Sequence, residues 1–190
     1  IVPRAINKVF QEIGNKPELE VSVKVSYLEI YNETFFDLLS IIPSHQQKGD
    51  ISIQEDVKGN LILKGLSMIS VQNEEEAFNL LFEGEANKTV SEHHLNKESS
   101  RSHCIFSIYL DIKSRIESSE KVNTSKLNFV DLAGSERVKK TGSTGVTLKE
   151  ANYINKSLTF LEQVVVALTE KSKHKKIKIN SKLGDHIPYR

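Results

Sequence analysis

The apolar residues of this chain change their spacing several times, and that alternation limits the folds open to it. Val21, Val23, Val25 and Tyr27 recur at every second position on the way to Ile30, the mark of a strand with two usable faces. From Glu74 to about Ala86 the spacing is helical, with Ala77, Phe78, Leu80, Leu81 and Phe82 as the apolar stripe. Asn73 followed by Glu74, Glu75 and Glu76 predicts the start of that helix, because acidic side chains favour the positive end of the helix dipole. Cys104 to Ile112 alternates again, and after a charged, Ser-rich loop over 113–125 comes a further strand, Lys126 to Leu132. Leu148, Ala151, Ile154, Leu158, Leu161, Val165 and Leu168 then recur every three or four residues, which predicts a long helix with one face buried. Strands and helices interleave, so the expected fold class is α/β, a layered sheet with flanking helices.

Shorter signals fill the gaps. Ala5, Ile6, Val9, Phe10 and Ile13 fit the end of a helix that Gly14, Asn15 and Pro17 break. Phe35 to Leu39 is expected to turn helically, and 43–50 to form a polar loop. Ile51 to Gln54 and Leu61 to Val71 read as two strands around an Asp56–Asn60 turn.

Composition narrows the partners. With 38% hydrophobic and 27% charged residues in 190, the chain has the balance of one folded domain. Lys plus Arg number 26 against 25 Asp plus Glu, so any pull toward an acidic polymer or lipid must be local. The longest apolar run, Val164 to Leu168, is far short of the roughly 20 residues that cross a bilayer. No membrane partner is expected. A lone Cys104 permits no internal disulfide and suits a reducing compartment, which points to the cytoplasm. The chain opens Ile-Val-Pro-Arg and stops at Arg190, and is expected to be a piece of a longer protein.

Two segments carry groups suited to phosphate chemistry. The strand Leu127–Val130 delivers Asp131 at its carboxyl end, followed by Leu132, Ala133, Gly134, Ser135 and Glu136; ligands of open α/β sheets bind at that end. An Asp there can hold the water shell of Mg²⁺, and a Gly three residues on can bring its N–H against a phosphate. A strand ending in a polar turn fits the same spacing. The second segment, Asn96-Lys97-Glu98-Ser99-Ser100-Arg101-Ser102-His103, could serve a phosphate, a metal-bound water and an attacking water together. Equally, its serines could satisfy their own backbone.

Taken together, Asn-x-x-Ser-Ser-Arg-Ser-His at 96–103 and Asp-Leu-Ala-Gly-Ser-Glu at 131–136 resemble the switch I and switch II loops of kinesin motor domains. The resemblance extends to Ser26–Glu33, Glu150–Leu158 and His186–Arg190, and so spans residues 1–190. Asn79–Gly84 and Phe160–Gln163 are most similar to the kinesin-9 branch associated with cilia and flagella. It implies a P-loop NTPase-like layered sheet, of which this chain would be the central and C-terminal part, and it implies ATP and Mg²⁺ as cofactors. By matched position, Ser100 and Asp131 would hold Mg²⁺, Asn96 and Ser99 would position water, and Gly134 would face the γ-phosphate. Arg101 and Glu136 would latch the two loops. No Gly here is followed by Lys, so the phosphate loop G-x-x-x-x-G-K-[ST] lies outside the chain, and the isolated piece is expected to be inactive, with an exposed sheet edge.

Residues 171–182, KSKHKKIKINSK, hold six Lys and no acid. A solvated loop is the common outcome for such a run. In the kinesin pattern the long helix and the loop after it face tubulin, whose acidic tails Lys171, Lys173, Lys175, Lys176, Lys178 and Lys182 would attract. Matched positions add Lys139, Lys140, Asn155, Lys156 and Arg190 as microtubule contacts. Nucleic acid is the weaker choice, since the run lacks interleaved aromatics. His93, His94, His103 and Cys104 lack the spacing of a tetrahedral zinc site. The resemblance therefore implies a microtubule-based ATPase of the cytoplasm and cytoskeleton, with the cilium or flagellar axoneme as a specific setting and the oligomeric state unassigned. The alternative is a degenerate relative that binds microtubules without catalysis.

Overall fold

The computed structural model describes residues 1–42, 46–47, 51–55, 57, 61–95, 102–116, 121–134 and 146–176, with 61, 89–95, 146–155 and 172–176 as backbone. The chain divides into two compact units, Ile1–Leu132 and Ala133–Arg190.

The first unit is a five-stranded sheet with helices α1 (Val2–Gly14) and α2 (Glu74–Leu95). Its strands are β1 (Leu19–Tyr31), β2 (Thr34–Asp37), β5 (Ile69–Val71), β6 (His103–Ser114) and β7 (Asn123–Asp131). They run β2-β1-β6-β7 across the sheet, with β5 also on β1, and every described pairing is antiparallel. A separate hairpin joins β3 (Ser52–Glu55) to β4 (Leu61–Lys64). One sheet face, carrying Val23, Val25, Tyr27, Cys104, Phe106 and Ile108, meets Ile6 of α1 and Ala77 and Leu81 of α2 in the main core. The opposite face is polar and cross-linked: Ser26 Oγ donates to the Tyr109 hydroxyl at 3.3 Å, Ser107 Oγ to Asn128 at 2.8 Å, and Lys24 pairs with Asp111.

Several expectations are corrected. Phe35 to Leu39 does not turn helically; Thr34–Asp37 is a strand folded back on Leu28–Tyr31. The reversal uses two left-handed residues, Asn32 (φ 49°) and Glu33 (φ 61°), the geometry that matches strand twist in a two-residue hairpin. Asp37 then fixes the exit, its carboxylate accepting from the Leu39 N–H at 2.9 Å and the Ser67 N–H at 2.7 Å. The single strand expected over Leu61–Val71 is two strands in different sheets, parted at Gly65 with φ 91°.

Helix α2 starts where expected. Asn73 accepts from the Glu76 N–H at 2.9 Å, and Glu76 reaches back to the Gln72 N–H at 2.8 Å. It runs past Ala86 to Leu95, and Phe82 leaves the buried stripe, being 64% exposed.

In the second unit, helix α3 spans Val146–Lys176, beyond the expected end at Leu168. Half of the basic run, through Lys176, is therefore helix and not loop. Cations at a helix C-terminus complement the dipole, which offsets their mutual repulsion. Of the stripe expected to be buried, Leu158 is half-buried, while Leu161 (44%), Val165 (54%) and Leu168 (43%) are exposed. Spacing sets which residues share a face and does not by itself decide what covers them.

Candidate functional site

The β6–β7 register decides where the two motif segments meet. Cys104 pairs with Asp131 across the ladder, so the residues that end the first segment, Ser102 and His103, sit beside the start of the second. On its other side β6 pairs Cys104 with Glu29 and His103 with Ile30 of β1. The long antiparallel ladder thus holds three strand ends in fixed register.

Their environments differ. Ser102, His103 and Cys104 are buried, whereas Asp131 is exposed at the strand end. Burial pushes the His103 imidazole below its ordinary value, partly opposed by the Glu33 carboxylate. Burial likewise pushes the Cys104 thiol up to about 11, so it is protonated and unreactive at neutral pH. A cleft of about 470 Å³ lies alongside, lined among others by Tyr27, Glu85, Cys104, Phe106 and Asn128–Asp131.

Of the sequence-selected phosphate and metal residues, Asp131 and Gly134 are described. An added Cβ at Gly134 would meet nothing within 4 Å, and its φ is not in the left-handed region, so neither crowding by described atoms nor backbone strain calls for glycine there. A hard carboxylate oxygen open to solvent at a strand end suits a hydrated Mg²⁺. Asn96, Ser99, Ser100, Arg101 and Glu136 lie outside the described residues, as do Lys139, Lys140, Lys178, Lys182 and Arg190. Asn155, Lys156, Lys171, Lys173, Lys175 and Lys176 all belong to α3. Lys156 is exposed, its ammonium 5.7 Å from the Phe160 ring centroid.

Sequence reading missed Tyr27, Gly84, Glu85 and Lys88. Tyr27 is 4% exposed, its ring edge-on to Phe106 at 5.4 Å, and its hydroxyl donates to Glu85. Burial, then the Glu85 bond, push the Tyr27 phenol far above its ordinary value. Burial alone would lower Lys88, but Cys104, Glu85 and Glu29 together hold it above the usual lysine value. A Gly in the middle of α2 was the available signal.

Comparison with known proteins gives this architecture its class. A solved structure described as that of a fast kinesin, with implications for ATPase mechanism and interactions with microtubules, superposes with a TM-score of 0.80 at 35% identity. The match covers 100% of this chain and 49% of that one. The family model "Kinesin motor domain" matches residues 1–190, and the chain belongs to that family. It is 51% identical to kinesin-like protein KIF9 of Mus musculus over 191 residues, and 48% identical to kinesin-like protein KLP1 of Chlamydomonas reinhardtii over 171 residues. These alignments cover 100% and 90% of the chain, which spans 23% and 22% of the two relatives.

Proposed function

We propose that the polypeptide to which this chain belongs is a microtubule motor driven by ATP hydrolysis, and that these residues supply its phosphate-sensing loops and part of its filament-binding face. The observation that carries this reading is the pairing of Cys104 with Asp131, which sets the end of the first motif segment beside the start of the second on one rung of the sheet. Family membership supports it from a second direction.

Bound with ATP, Mg²⁺ would neutralise charge developing on the phosphates. Ser100 and Asp131 are the residues that would hold it, the latter through water. Asn96 and Ser99 orient the attacking water, and Gly134 offers its backbone N–H to the terminal phosphate. Arg101 and Glu136 close the loops against each other through a charge-assisted pair, which excludes bulk water. Loss of the terminal phosphate would release that contact.

Filament binding falls to Lys139, Lys140, Asn155, Lys156, Arg190 and the lysines from Lys171 to Lys182. Because α3 is continuous through Lys176, Lys171 and Lys175 stand one helical turn apart, a fixed spacing that a loop would not impose. Acidic tubulin tails are the complementary surface. The cytoskeleton, and specifically the axoneme of cilia or flagella, is the proposed location, in line with the similarity to KIF9 and KLP1.

Steady-state ATPase assays of the full-length protein with and without microtubules test the reading. Microtubule-stimulated turnover is expected. Sedimentation with microtubules that ignores nucleotide, with no turnover, would make it the non-catalytic binding module instead.

A further inference from the structure

Helix α2 is tied to the sheet, midway along its length, by side chains that none of the motifs uses. Gly84 lies so close to Tyr27 that a Cβ there would stand 2.2 Å from the ring's Cδ1 and 2.9 Å from Cε1. Another edge of that ring meets Phe106, and its hydroxyl donates to Glu85. One turn further, Lys88 lies within electrostatic reach of Cys104, Glu85 and Glu29, and Cys104 makes a weak hydrogen bond with Ser102, Sγ and Oγ 4.0 Å apart. Tyr27 belongs to β1, Phe106 and Cys104 to β6, and Glu85 and Lys88 to α2. Three elements therefore meet at the strand end that pairs with Asp131.

Space filling alone does not account for this arrangement. A phenylalanine at 27 would pack on Gly84 and Phe106 as well, with no hydroxyl to satisfy. Tyr27, Glu85 and Cys104 instead line the 470 Å³ cleft that Asp131 also lines. A directional bond between Tyr27 and Glu85 fixes the rotation of α2 about its own axis. That rotation sets where Lys88 meets Cys104, and Cys104 in turn is locked to Asp131 by the ladder.

We propose that Tyr27 and Glu85 are positioning residues for the reaction at Asp131: they hold the Cys104–Asp131 strand ends in the placement that catalysis requires, without touching the reacting atoms. The inference rests on the ATP-hydrolysing reading above.

The test uses the full-length protein carrying Tyr27→Phe, Glu85→Leu or Glu85→Gln, with microtubule-stimulated kcat, KM for ATP and thermal unfolding measured for each. Tyr27→Phe and Glu85→Leu are expected to lower kcat about fivefold at temperatures well below unfolding, with KM within about twofold of the parent. Glu85→Gln keeps an acceptor for the Tyr27 hydroxyl and is expected to retain kcat within about twofold. Variants that melt earlier yet turn over normally when folded would overturn the inference and leave the pair as packing. Equal losses for Glu85→Gln and Glu85→Leu would overturn it too. Should Tyr27→Phe fail to fold, the two Glu85 variants decide alone. A wild-type protein without turnover would remove both the functional reading and this inference, whereas turnover unaltered in every variant would remove only the inference.

Discussion

Cys104 and Asp131 face each other across the β6–β7 ladder, one buried and the other open to solvent. The buried member anchors the pair in the core beside Phe106 and Ile108, and the open member is left free to meet a ligand. An acidic group on a rigid strand end, backed by packed side chains, is positioned more sharply than one on a loop.

Asp131→Asn in the full-length protein should cut microtubule-stimulated ATPase activity by about 10- to 100-fold, the usual cost of losing a residue that orients a metal's water shell. Raising free Mg²⁺ should recover part of the loss. Steady-state assays across a Mg²⁺ titration check this; an unchanged rate at all concentrations would remove Asp131 from the site.

Gly84→Ala should destabilise the fold although alanine is the better helix former by about 1 kcal/mol. The added Cβ would meet the Tyr27 ring at 2.2 Å, and that ring cannot retreat while Phe106 and Glu85 hold it. Overpacking of this kind costs about 1–3 kcal/mol, so a net loss is expected on urea unfolding.

Stability should fall at both ends of the pH range. Burial depresses His103 in the folded state, so its contribution is present above 6.5 and is lost as pH falls below it, where the unfolded chain takes up the proton. Cys104 acts at the other end. Its folded value is raised from 9.0 to about 11, so its contribution is complete below 9.0 and is lost as pH rises toward 11. Urea midpoints measured from pH 5 to 11 check both signs, and Cys104→Ala should flatten the alkaline limb.

Replacing Lys171, Lys173, Lys175 and Lys176 by Gln should weaken microtubule binding at low salt and change it little at high salt. Screening shortens electrostatic reach from about 10 Å at 0.1 M to about 3 Å at 1 M. Co-sedimentation across that range reads the slope, and a variant with the parent's salt dependence would assign the run to a solvated helix end.

Strands were the legible part of the fold. β1, β6 and β7 carry runs of alternating or β-branched residues, and their bounds lie within a few positions of the sequence reading. The β1–β2 hairpin was hidden because its turn uses Asn32 and Glu33 in left-handed conformations, with no glycine to announce it. The end of α3 was hidden for a different reason: Lys171–Lys176 carries no apolar stripe, and the dipole term that favours cations there leaves no periodic trace. At the site, the Asp131 strand end could be read from local order, because a strand and its terminus are contiguous. Tyr27 and Glu85 could not, since 58 residues separate them and only the packing of α2 on β1 joins them.

In the proposed motor, two short segments report the terminal phosphate of ATP to the filament-binding face. Microtubule affinity of the full-length protein, measured by co-sedimentation with a non-hydrolysable ATP analogue and with ADP, tests it most directly. Clearly tighter binding is expected with the analogue, as is loss of that difference in Arg101→Ala or Glu136→Ala. Equal affinity in both nucleotides for the unaltered protein would contradict it.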